Sequence, residues 1–247
     1  MSENLVSTDL SLQSMYIHSG ITSTVTTSFS SPAGSPLGLT LDGSGNMISG
    51  GSITDKIYIN AGITSTVTTS FNSPRGAPTG LTLDGSGNLI SAGGGFMDTA
   101  IFIHSGVTST VTTSFASESD DPMGLTLDGS GNLISVDWWE DKIYIHSGIT
   151  STITTSFGSP AAEPRCLTLD GSGNLISSDS TNDSIYIHSG ITSTVTTSFS
   201  SPGGAPMGLT MQPAAPVGWT GKISGVTDPA EIMGVAVANI ATVKGVA

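Results

Sequence analysis

Four histidines recur in one phrase of the chain, and the fifth copy of that phrase carries asparagine instead. They are His18, His104, His146 and His188, with Asn60 in the remaining place. Imidazole can ligate a metal, move a proton or hydrogen-bond a sugar. The steps from His18 through Asn60 to His188 are 42, 44, 42 and 42 residues, so each group sits on its own structural unit. Side chains spread around such an array cannot converge on one metal. Two readings remain: one sugar contact per unit, or a hydrogen bond from each ring to its neighbouring turn.

A second constellation occurs once. Trp138 and Trp139 are adjacent and flanked by Asp137, Glu140 and Asp141. Two indoles beside carboxylates make a platform for a sugar ring or a partner surface, with acceptors for hydroxyl groups. Alternation along an extended chain points adjacent side chains opposite ways, so one indole is expected to pack and the other to face outward. Phe96 and Met97 in the preceding unit extend the same patch, and Arg75 stands in another variable loop. The expected ligand-binding residues are therefore Trp138, Trp139, Glu140, Phe96 and Arg75.

The phrase DGSGN resembles half of a calcium loop but lacks the further acidic ligands and the bidentate Glu that such a loop needs, so it reads as a tight turn. A single cysteine, Cys166, excludes an internal disulfide framework. It replaces a repeated glycine and is expected in a packed strand as a small apolar group. No nucleophile stands beside a base, and no acid is unique to one copy of the GLTLD phrase, so no catalytic residues, metal or cofactor are expected.

These groups are positioned by a repeat. LDGSGN recurs at Leu41, Leu83, Leu127 and Leu169, and aromatic residues at Tyr16, Tyr58, Phe102, Tyr144 and Tyr186 share the same spacing. Each unit reads as four short strands: GLTLD, then NLIS after the DGSG turn, then IYIHSG, then the β-branched TSTVTTSF. Four antiparallel strands in about 42 residues is the size of one β-propeller blade. The chain begins inside a second strand, at Glu3–Asp9, and its repeats stop after a first strand, at Met207–Met211. The last strand therefore completes the first blade and closes a ring, which removes exposed end edges. The expectation is an all-β, five-bladed propeller over residues 1–212, followed by a short C-terminal tail over 213–247.

Composition narrows the function classes. Six Lys and Arg against 19 Asp and Glu give a net charge of −13, and charged residues make up only 10% of the chain. No basic cluster exists to displace counterions from phosphate, so no nucleic-acid partner is expected and an anionic membrane surface is disfavoured. No stretch of about 18 apolar residues is present, so no membrane insertion is expected, and the first residues carry no secretory signal.

Comparison of the five copies separates two rims. One carries the nearly invariant DGSG and HSGITST turns. The other carries second-to-third-strand loops and blade connections that differ in every copy, as a single asymmetric ligand site would require. The repeat text P-x-G-L-T-L-D-G-S-G-N-L-I-S followed by I-Y-I resembles NHL-like propeller repeats, which implies fold and little about function. Five-bladed lectins with one sugar site per blade share only the blade number. The tail contains three echoes of one phrase, Ile223–Val226, Ile232–Val235 and Val243–Val246, and resembles the glycine-valine ends of bacteriophage structural and tail-fibre proteins. That resemblance implies a virion protein assembled in the host cytoplasm, oligomeric within its assembly and joined to other virion proteins through residues 213–247. Its propeller would be displayed, with a host-surface glycan as ligand. The alternative is a free lectin with equivalent sites at His18, Asn60, His104, His146 and His188.

Overall fold

The computed structural model describes residues 3–95, 98–117 and 121–214 of the chain. Beyond them it describes the short strands Lys222–Ile223, Val226–Thr227, Glu231–Ile232 and Val235–Ala236. Five four-stranded antiparallel sheets form the blades of a closed propeller. Blade 1 is assembled from both ends: its inner strand is Pro206–Gln212, which pairs with Asn4–Asp9, then Ser14–His18, then the outer strand Val25–Ser30. The joint runs in register from Asn4 opposite Gln212 to Thr8 opposite Gly208. Blades 2 to 5 follow in chain order, with inner strands Pro36–Leu41, Pro78–Leu83, Pro122–Leu127 and Pro164–Leu169.

The core lies between blades. Each sheet is covered on both faces by its neighbours, which is why Leu133 and Ile134, adjacent in one strand, are both fully buried. Between blades 4 and 5, Met123, Ile134, Val136 and Ile143 meet Leu167 and Leu175. Equivalent layers fill the other four gaps, so burial of about 1.5–3 kcal/mol per large apolar side chain is distributed around the ring.

The axis is nearly closed. Glycine recurs in the inner strands at Gly38, Gly80, Gly124 and Gly208, where backbones approach too closely for a side chain. A Cβ on Gly124 would lie 2.6 Å from the Cα of Cys166, and one on Gly208 2.7 Å from the Leu37 carbonyl oxygen. The axial cavity is about 10 Å³, room for about one water.

The invariant turns hold themselves together. Asp42 Oδ1 accepts from the amides of Ser44 and Asn46, and its Oδ2 accepts the Asn46 side-chain amide. Asn46 Oδ1 then accepts the Gly62 amide of the neighbouring turn at 3.0 Å. The same pattern repeats at Asp84, Asp128 and Asp170. Each carboxylate is engaged by its own turn, as the DGSGN reading expected.

Candidate recognition rim

The histidines are structural. His18 is fully buried; its Nδ1 donates to the Thr22 carbonyl at 2.7 Å, which leaves Nε2 to accept from the Ser7 hydroxyl at 2.9 Å. His104 and His188 repeat this bridge with Ser91 and Ser177, and His146 Nε2 lies 2.9 Å from the Ser135 hydroxyl. Burial pushes the imidazoles of His18, His104 and His188 below their ordinary pKa, which favours the neutral form this geometry needs. Three rings also meet a phenylalanine of the preceding blade, as His18 meets Phe199 with centroids 6.0 Å apart. Of the two readings of the repeated histidines, the geometry is that of a bridge to the neighbouring turn.

Asn60 does half of this work. Its Nδ2 donates to the Thr64 carbonyl at 2.8 Å, but its Oδ1 and the Ser49 hydroxyl are both buried without a hydrogen-bond partner. The amide is too short to span the gap that imidazole spans in the other blades.

The chemically varied rim is the other one. Among the described residues, the turn rim carries Glu3, Asp42, Asp84, Asp128 and Asp170 and no cation. The ring's four cations, Lys56, Arg75, Lys142 and Arg165, all stand toward the variable rim, together with Asp9, Asp55, Asp121, Asp137, Glu140, Asp141, Glu163, Asp179 and Asp183. The loops there differ in side chains far more than in shape. Residues 10–13, 52–55, 138–141 and 180–183 form the same four-residue turn, and each ends in a residue with φ between 49° and 54°. Different side chains are thus presented on one backbone frame.

In blade 4 that frame carries the tryptophans. Asp137, at the end of its strand and fully buried, caps the turn: its Oδ1 accepts the amides of Trp139 and Glu140, each at 2.6 Å. Trp138 folds inward onto the layer between blades 4 and 5, while Trp139 is 62% exposed. Their rings lie 6.0 Å apart and are tilted by 56°.

The outer face of Trp138 is covered from blade 5. The Arg165 guanidinium lies 4.9 Å from its ring centroid; its Nε donates to the Ser180 hydroxyl at 2.9 Å and its Nη2 to Glu163 at 3.3 Å. Ser180 also donates to the same Glu163 oxygen at 3.0 Å. That hydroxyl, with the nearby indole and guanidinium, holds the Glu163 carboxyl below its usual range. A cation over an indole contributes about 0.5–2 kcal/mol, and here it fixes Trp138 as the base on which Trp139 stands. Below it, burial and then the nearby Asp137 charge raise the Asp121 carboxyl.

Glu140 is not the open acceptor the sequence reading expected. It accepts the Tyr144 hydroxyl and the Lys142 ammonium, the latter at 3.1 Å, and these bonds lower its carboxyl pKa. Asp141 likewise accepts the Glu163 amide at 2.8 Å. Arg75 is exposed but belongs to the connection between blades 2 and 3, where its carbonyl lies against Gly93. The structure brings Arg165, not Arg75, to the tryptophans. Phe96 and Met97 lie outside the described residues. Arg165 had a signal in the sequence: it is the one charged residue at the second place of P-x-G-L-T, where the other copies have Leu37, Thr79, Met123 and Met207.

A separate hollow lies away from the tryptophans. It measures about 430 Å³ and opens between blades 1 and 2 on the turn rim, lined by Ile17, Leu41, Ile63, Gln212 and Pro213 among others. It marks where the chain leaves the ring.

No family model matches this chain, and no curated protein matches it. Solved structures do. A chain in the nidogen/laminin complex is 15% identical with a TM-score of 0.58, over 85% of this chain and 98% of that one. The WD40 β-propeller domain of Doa1 is 13% identical with a TM-score of 0.54, over 83% and 66%. A protein of unknown function from Bacteroides caccae is 10% identical with a TM-score of 0.53, over 81% and 73%. At these identities the likeness is one of propeller fold.

Proposed function

We propose that this chain is a non-enzymatic recognition module, a five-bladed ring held by its C-terminal tail and presenting one ligand site on its variable rim. One observation carries the reading. The inner strand of blade 1 runs from Pro206 beside Asp9, on the variable rim, to Gln212 beside Asn4, on the turn rim. The chain therefore leaves the disc on the face opposite Trp139, so a ring anchored there turns its varied face outward. Exposed Trp139 on a base locked by Arg165 suits an apolar sugar face. With the tail's resemblance, this supports a bacteriophage virion part, in a tail, baseplate or fibre, that touches a host-surface glycan.

The test joins location and binding. Mass spectrometry of purified virions should find the chain, and the intact protein should bind host cells or their isolated glycans at about one site per chain. A Trp138→Ala/Trp139→Ala variant should lose that binding. Absence from virions removes the virion setting; about five sites per chain, indifferent to the variant, refutes the single-rim site.

A further inference from the structure

The outer wall of the disc is built unlike either rim. Each blade ends in an outer strand, Val25–Ser30, Val67–Asn72, Val111–Ala116, Ile153–Gly158 or Val195–Ser200, paired on its inner side only. Three successive residues at the middle of each are exposed, such as Thr26, Thr27 and Ser28, and Val67 and Val195 are more than one-third exposed. Folded proteins usually protect such edges with lysine, proline or a covering segment. Neither lysine nor proline is present in these strands, and their middle residues are exposed among the described residues. Residues 14–30, 57–72, 99–116, 143–158 and 184–200 contain no Asp, Glu, Lys or Arg.

Among the described residues the acidity of the ring is therefore confined to its two rims, and the wall is where two copies can approach without charge repulsion. The strand text is also self-complementary. Two VTTSFS strands related by a two-fold axis at Thr27 pair Thr27 with its own copy, Thr26 with Ser28 and Val25 with Phe29. Hydroxyl pairs and pairs of β-branched with aromatic side chains stabilise an antiparallel ladder. The text stays nearly constant in all five copies, while the variable rim does not.

We propose that the wall is a self-association surface: outer strands of two copies of this chain pair edge to edge, joining two blades into one eight-stranded sheet. One six-residue edge buries less than a standard interface of about 1,600 Å², so the contact is weak and concentration-dependent. Five edges per ring make it multivalent.

Sedimentation velocity of the full chain across a wide concentration range tests this, together with a variant carrying Thr→Lys at positions 27, 69, 113, 155 and 197. Wild type should associate as concentration rises, and the lysine variant should do so with Kd weakened on the order of tenfold or more. A Thr→Ser variant at the same positions should associate like wild type. Hydrogen exchange on wild type gives a reading independent of how the variants fold: outer-strand amides should gain protection at high concentration. A chain that stays monomeric, or that associates without this protection and equally well with the lysines, overturns the proposal. Protection of those amides by a foreign partner alone, with no self-association, overturns it too.

Discussion

Replacing Asn60 by histidine should stabilise the ring, because blade 2 lacks a bridge that its neighbours have. In the wild type, Ser49 Oγ and Asn60 Oδ1 are both fully buried and unpartnered. An unmade bond at a buried polar atom costs about 1–3 kcal/mol. Imidazole removes one of these atoms and supplies an acceptor to the other, at the 2.9 Å seen for Ser7 and His18. Its Nδ1 keeps the bond to the Thr64 carbonyl that the amide makes now, and the ring meets Phe29 as His18 meets Phe199. Allowing for packing adjustments, the expected gain is about 1–2 kcal/mol, or a rise in Tm of roughly 2–6 °C for a ring of this size. Calorimetry at pH 8, where the new imidazole is neutral, would measure it. A cycle with Ser49→Ala sharpens the test: that change should be neutral or stabilising in the wild type and should cost about 1 kcal/mol or more in the Asn60→His background. An unchanged or lower Tm for Asn60→His, or the same effect of Ser49→Ala in both backgrounds, would refute this account of the bridge.

Acid should weaken the same bridges. His18, His104 and His188 have folded pKa values below the ordinary 6.5, so the unfolded chain takes up protons first. Their contribution is fully present above pH 6.5 and is lost as pH falls from there through the folded values. Stability measured by urea titration should drop over that window, and less in a variant lacking one histidine. Gly124→Ala would place a Cβ 2.6 Å from Cys166 Cα and should cost about 1–3 kcal/mol, read as a lower urea midpoint. The Cys166 thiol is fully enclosed and pushed up to about 12 by burial, so it should resist a thiol reagent in the native state and react at the unfolding rate in urea. Arg165→Ala should release Trp138, lower stability by about 1–2 kcal/mol and shift tryptophan emission to the red, while Arg75→Ala should leave emission unchanged.

The ring was legible because a repeat supplies several readings of one structure, and because the ends, Glu3–Asp9 and Met207–Met211, complement each other in text as they do in register. Trp138 and Trp139 were legible as a pair, one packed and one exposed, since their neighbours fix a turn. What escaped was the assignment of partners across blades. Arg165 and Ser180 stand 27 and 42 residues from Trp138 in the chain, and only the ring geometry brings them to the indole. Glu140 was misread for a local reason: its flank of acids reads as open acceptors until Tyr144 and Lys142 of the same blade close on it. The loops of the variable rim look irregular in sequence, yet four share one turn, because a left-handed residue at Gln13, Asp55, Asp141 or Asp183 sets the shape and leaves the other side chains free to differ.

The joint between Asn4–Asp9 and Pro206–Gln212 also has a mechanical meaning. It is held by non-covalent pairing, and any pull transmitted through residues beyond Gln212 enters the ring there. The inner strand runs from one face of the disc to the other, so tension applied between the variable rim and Gln212 acts along the strand. In that direction the ladder bonds to Asn4–Asp9 carry the load in parallel and must yield together. A sideways pull on the same strand would open them one at a time, like a zipper. The ring is therefore strongest against force along its own axis, and weakest against force that peels its last strand from its first.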